Sequence, residues 1–170
     1  YKHKYISKGK RDISHKGLEN SSARLLPKGS VLFSSRAPIG YVAIAKNELA
    51  TNQGFKSIVP YILEMNDYLY HYLKLVGEKI NENATGTTFK EVSGKQISME
   101  LVALPPIEEQ QRIVGKVESL FNLCDKWETE VTKQQDHLTV LRDKVLEDAM
   151  RGLLIEQDEN DEPAEKLLEK

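Results

Sequence analysis

From Ile113 to Val145 the apolar residues advance by alternating steps of four and three: Ile113, Val117, Leu120, Cys124, Trp127 and Val131, then Leu138, Leu141 and Val145. A step averaging about 3.5 residues over more than four heptads belongs to an α-helix with one narrow apolar stripe, the seam of a coiled coil. A strand would need a step of two. Gln134 interrupts the stripe, at a position where a single polar side chain sets register at some expense in stability. Pro105 and Pro106 mark the start of this helix, Glu108 and Glu109 suit its positive end, and Gly152 suits its termination. At about 1.5 Å per residue, a helix from Ile107 to Arg151 is roughly 65 Å long. A chain of 170 residues cannot bury such a stripe on itself, so the seam calls for a helix from elsewhere.

The residues before the seam follow other periods. Pro27-Lys28-Gly29 has turn chemistry and leads into Val31-Leu32-Phe33, which a Ser-Ser-Arg-Ala-Pro interruption separates from Tyr41-Val42-Ala43-Ile44-Ala45. A third strand is expected from Gly54 to Val59, between the polar corner Thr51-Asn52-Gln53 and Pro60. Asn66 is expected to cap a helix in which Leu69, Tyr72, Leu73 and Val76 recur at helical spacing as far as Gly77. Residues 81–94 read as a polar loop, and the alternation of Ile97, Met99, Leu101 and Ala103 predicts a further strand that stops at Pro105. The class is therefore α+β: a mixed or antiparallel sheet domain over residues 1–104, a long coiled-coil-forming helix over 105–154, and an acidic tail over 155–170, disordered or loosely docked.

Charge is unevenly distributed. Residues 1–90 carry 14 Lys/Arg against 7 Asp/Glu, and residues 91–170 carry 10 against 19, beneath a net charge of −2. The basic half attracts polyanions in a way that the whole-chain balance conceals. The single cysteine, Cys124, excludes an internal disulfide framework and a Cys-based zinc site, and it fits the reducing cytoplasm. No apolar run approaches the ~20 residues needed to cross a bilayer, so no membrane partner is expected. The sequence opens at Tyr1 in a polar, basic stretch, which suggests a piece of a longer polypeptide.

Catalytic motifs are missing from the sequence: there is no phosphate-binding Gly-x-x-x-x-Gly-Lys loop, no Gly-x-Gly-x-x-Gly and no Gly-x-Ser-x-Gly elbow. His3, His15, His71 and His137 never fall at His-x-x-x-His spacing, and no metal site is expected. Cys124 and Trp127 read as packing residues of the seam. The chain is expected to be non-catalytic.

A basic and amide-bearing constellation is more informative. Lys8, Lys10 and Arg11 form an N-terminal cluster; Ser34, Ser35 and Arg36 occupy one strand-to-strand loop; Asn52, Gln53 and Lys56 occupy a second; Thr87, Thr88 and Lys90 occupy a third. Arg and Lys chelate guanine O6/N7, Asn and Gln chelate adenine N6/N7, and Ser and Thr hold phosphates. Each loop alone reads equally well as a solvated turn, because polar residues favour turns for backbone reasons. Arg36 is the strongest candidate for DNA contact, since it follows a strand that can present it rigidly.

Three segments in this order resemble the specificity subunits of type I restriction-modification systems. They are Leu26 to Gly40 (LPKGSVLFSSRAPIG) continuing to Thr51–Lys56 (TNQGFK), Ala84 to Phe89 (ATGTTF) leading to Ile97, and Leu104 to Ile113 (LPPIEEQQRI). The resemblance extends to about Leu154. It implies one target-recognition domain followed by a conserved spacer helix, reading one half of a split double-stranded DNA site. It also implies partners: methylation subunits that use S-adenosylmethionine, restriction subunits that use ATP and Mg, and a second specificity half, from the same parent chain or as a homodimer. No cofactor is expected in this chain. The family's domain usually opens with an apolar segment containing Gly and Trp, which this sequence lacks. From the residues alone, a coiled-coil scaffold without DNA specificity remains the alternative.

Overall fold

The computed structural model describes residues 3–36, 38–82, 84, 91–156 and 158–167. In chain order the strands are β1 (Tyr5–Ile6), β2 (Leu25–Leu26), β3 (Val31–Ser34), β4 (Val42–Ala45), β5 (Leu49–Ala50) and β6 (Phe55–Ile58). The helices are α1 (His15–Glu19), α2 (Asn66–Glu82), α3 (Gly94–Ser98) and α4 (Ile107–Met150). Four strands form one sheet in the order β1-β4-β3-β6, and β2 pairs with β5 separately. β1 runs parallel to β4 while the remaining pairs are antiparallel, so the sheet is mixed.

The central strand β3 reads Val-Leu-Phe-Ser without polar alternation, and all four of its residues are buried. Val31, Phe33, Val42 and Ile44 from the sheet pack with Leu69, Tyr70, Leu73 and Ile80 from α2 and with Val92. Complete burial of a side chain such as Phe33 contributes about 1.5–3 kcal/mol. This cluster anchors the loops at the ends of β3 and β6.

The helix predicted from Asn66 is present with different ends. Asn66 has αR geometry after a 3-10 turn at Leu63–Met65, so it lies inside the helical run rather than capping it from outside. Gly77 does not stop α2. It lets α2 approach the loop before β4, because a Cβ there would lie 3.3 Å from both Cα and O of Gly40.

The strand expected over Ile97–Leu104 is absent. Ser93 and Gln96 form a reciprocal capping box that starts α3 instead, and the chain then runs to Pro106 without regular structure. Two of its carbonyls accept from α2, where Tyr68 and Tyr72 stand one turn apart. The Tyr68 hydroxyl donates to Ala103 O at 2.8 Å and the Tyr72 hydroxyl donates to Leu101 O at 2.6 Å. Met99 and Leu101 are exposed, so the alternating residues do not form a buried face.

The chain divides into two compact units, Tyr1–Glu118 and Ser119–Lys170. α4 begins in the first, with Gln110 buried and donating from Nε2 to Pro105 O at 2.7 Å. In the second, α4 ends at a left-handed Gly152 (φ 70°): Gly152 N–H donates to Ala149 O and Leu153 N–H to Asp148 O, a Schellman motif. The seam residues Leu120, Cys124, Trp127, Val131, Gln134, Leu138, Leu141 and Val145 are exposed along this helix. Among the described residues after Gly152 there are turns and a 3-10 segment, Ala164–Leu167.

Candidate nucleic-acid interface

The antiparallel register of β3 and β6 pairs Phe33 with Lys56 and Ser34 with Phe55. The Ser34–Arg36 loop and the Asn52–Lys56 corner therefore emerge at one end of the sheet. Backbone bonds tighten the junction: Ser35 N–H donates to Gly54 O at 2.8 Å, and Val92 N–H donates to Ser35 O at 2.9 Å. An antiparallel bridge then sets Arg36 beside Glu91.

Glu91 faces two cations, with Oε2 3.3 Å from Arg36 Nη2 and Oε1 3.9 Å from Lys56 Nζ. Lys56 Nζ also donates to Gln53 O at 3.2 Å. Asn52 Oδ1 accepts from Gly54 N–H at 2.9 Å, an Asx turn that shapes the corner, while Asn52 and Gln53 remain exposed. The Arg36 side chain is half exposed. This sheet end offers a guanidinium, an ammonium and two amides to solvent on a rigid base.

The other expected contacts are placed differently. Ser34 and Ser35 are buried, so in this arrangement neither hydroxyl is offered to a ligand. Ser34 Oγ donates to Pro38 O and accepts from Tyr41 N–H, which closes the loop between β3 and β4. Both serines depart from the expectation: the Ser34 hydroxyl is taken up by the interior of the turn, and Ser35 is drawn inside by its backbone bonds to Gly54 and Val92, its own Oγ buried without a hydrogen-bond partner among the described residues. Lys8, Lys10 and Arg11 are exposed. They follow β1, which runs parallel to β4, so the chain leaves the sheet there at the end opposite Arg36. Thr87, Thr88 and Lys90 lie outside the described residues.

A second polar cluster lies within the first unit. Lys4 Nζ is 2.6 Å from Asp67 Oδ1 and also bonds Glu118, while the Tyr5 hydroxyl donates to Asp67 Oδ1 at 2.9 Å. His71 Nε2 is 3.7 Å from Glu118 Oε1. Burial lowers the His71 pKa, and the Lys4 charge lowers it further against the opposing pull of Glu118. These groups tie β1 and α2 to the first turns of α4. Neither this cluster nor Glu91 was expected from the sequence, since partners such as Lys4 and Glu118 are more than a hundred residues apart. Among the described residues, no group of His, Cys, Asp and Glu could hold a metal ion, and no helix is long and apolar enough to cross a membrane.

The first unit is thus a mixed α+β domain that gathers basic and amide side chains at one end of its sheet, and it leads into a long helix with an exposed apolar seam. Residues 1–135 match the family model described as Type I restriction modification DNA specificity domain, and the chain belongs to that family. Among its relatives, the type I restriction enzyme MjaIX specificity subunit of Methanocaldococcus jannaschii is 44% identical over 115 residues, covering 66% of this chain and 27% of the relative. The EcoKI specificity subunit of Escherichia coli is 40% identical over 68 residues, covering 40% of this chain and 15% of the relative. A solved chain from work on complex assembly and conformational transition of the type I R-M system superposes with a TM-score of 0.63 at 25% identity, covering 77% of this chain and 33% of that one. The HsdS subunit of Thermoanaerobacter tengcongensis shares the fold with a TM-score of 0.51 at 24% identity, covering 76% and 31%. The matches thus span between 15% and 33% of the length of these relatives.

Proposed function

We propose that this chain is the part of a type I restriction-modification specificity subunit that reads one half of a bipartite double-stranded DNA target. The observation that carries the reading is the convergence of Arg36, Lys56, Asn52 and Gln53 on one rigid sheet end in a member of a DNA-specificity family. Arg36, Lys56 and the amides supply base-edge chemistry. α4 is the spacer. Its exposed seam, from Leu120 to Val145, pairs with the helix of a second specificity half, from the same parent chain or a second copy, and so sets the separation of the two half-sites. The domain itself is non-catalytic. Methylation subunits with S-adenosylmethionine, and restriction subunits with ATP and Mg, dock on the assembled subunit in the cytoplasm and perform the chemistry. A scaffold without DNA specificity would leave the composition of the sheet end unexplained.

The test is DNA binding by the assembled complex. Affinity should fall steeply between low and moderate salt, since neutralised phosphates release counterions. Arg36→Ala should weaken cognate binding more than random-duplex binding, by about 1–3 kcal/mol of discrimination. Equal losses on both duplexes reject base reading by Arg36, and indifference to duplex of either kind rejects the DNA reading altogether.

A further inference from the structure

Glu91 places a carboxylate where the proposed function wants cations. Its position is not accidental to a flexible side chain. The bridge to Arg36, the bond from Val92 N–H to Ser35 O, and the burial of Val92 in the core fix the backbone on which it stands. Each of its oxygens faces a cation from a different segment, Arg36 after β3 and Lys56 on β6. All three side chains remain partly exposed, at 50%, 29% and 38% for Arg36, Lys56 and Glu91, and exposed pairs of this kind stabilise a fold little. The effect of the carboxylate therefore falls on the charge and direction of its two neighbours.

We infer that Glu91 is a specificity-determining positioning residue, which holds Arg36 and Lys56 in the orientation that meets a base edge and keeps them from being taken up by phosphate. The inference rests on the reading of this sheet end as a DNA contact. Two cations and one carboxylate present a net charge of +1 rather than +2. A random duplex offers chiefly phosphate and must compete with Glu91 for both cations, so its affinity is reduced. A cognate base offers directed acceptors. The guanidinium carries five N–H donors in a planar fork, so it can keep its ion pair with Glu91 and still donate to a base, with less ordering left to do on binding.

The experiment uses the assembled specificity complex, with one duplex selected by binding from a random pool and one unselected duplex. Affinities are measured across a salt series for the parent, Glu91→Gln, Arg36→Ala with Lys56→Ala, and the triple variant. Glu91→Gln keeps the shape and a hydrogen-bonding carbonyl but loses the charge. It should tighten random-duplex binding, steepen the salt slope by about one, and lower the selected-to-random ratio on the order of tenfold. In the triple variant, where nothing remains to be held, the effect of the Gln substitution should vanish. If the double variant weakens binding but Glu91→Gln leaves the ratio unchanged, the inference is overturned and the DNA reading stands. A loss confined to the selected duplex also overturns it, because Glu91 would then be reading a base amino group itself. If removing both cations changes neither affinity, the DNA reading of this sheet end fails, and the inference with it.

Discussion

Replacing Gln110 by glutamate should introduce a loss of stability that grows with pH. Gln110 is 2% exposed, and its Nε2 donates to Pro105 O at 2.7 Å, locking the first turn of α4 against the residues that precede it. In Gln110→Glu an oxygen faces that carbonyl instead. The neutral carboxyl can still donate its O–H, whereas the ionised form cannot and is also buried without a partner of opposite charge there. Its folded-state pKa must rise above the unfolded value of about 4.3. A carboxyl raised in this way leaves stability intact below the unfolded pKa and removes it as pH climbs through the folded pKa. A rise of about two units, ordinary for a buried carboxyl, gives a deficit of roughly 2.7 kcal/mol at alkaline pH. Gln110→Ala serves as the control: it loses the carboxamide with its hydrogen bond and one buried methylene, roughly 1.5–2.5 kcal/mol, with no dependence on pH. Urea unfolding at a series of pH values between about 4 and 8 separates the two. A Gln110→Glu deficit that stays constant across the series, or that never appears, refutes the burial argument.

Other outcomes follow from individual contacts. Tyr68→Phe combined with Tyr72→Phe removes both bonds to residues 101–103 and should cost about 0.5–1.5 kcal/mol each, with faster amide exchange at Glu109 and Gln110 as the anchored segment loosens. Gly40→Ala should lower the melting temperature, because φ is 93° there and the new Cβ would sit 3.3 Å from Gly77 O; the backbone conformation alone costs about 1–2 kcal/mol. Burial depresses the His71 pKa, so its contribution to stability is complete above the ordinary value of 6.5 and is lost as pH falls below it. His71→Gln should flatten that part of the pH-stability profile, and a profile unchanged by the substitution would refute the assignment.

Elements whose signal is local were legible before any coordinates. The 3.5-residue step and the Pro-Pro start placed α4 within a residue of its ends, because helix periodicity and terminal chemistry are written in neighbouring residues. β3, β4 and β6 were legible for the same reason. Where a local signal was outweighed, the competing one can be named. The alternation from Ile97 to Ala103 yielded to the capping box of Ser93 and Gln96, a signal that is itself local. Gly77 looked like a helix stop because a glycine's purpose depends on what lies opposite it, and here that is Gly40.

The candidate interface divides along the same line. Sequence by itself determined the supply of basic and amide side chains, the long helix with its apolar seam, and, through three segments in order, the family. Only the tertiary structure decided which of those side chains share a surface. Strand register brings Arg36, Asn52, Gln53 and Lys56 to one end of the sheet, parallel pairing of β1 sends the chain carrying Lys8, Lys10 and Arg11 out at the other, and turn closure takes Ser34 and Ser35 inside. Glu91 joins the cations through a bridge across 55 residues of sequence. Residue type and spacing are local quantities, whereas adjacency across a sheet depends on pairings between distant segments that no short stretch of chain encodes.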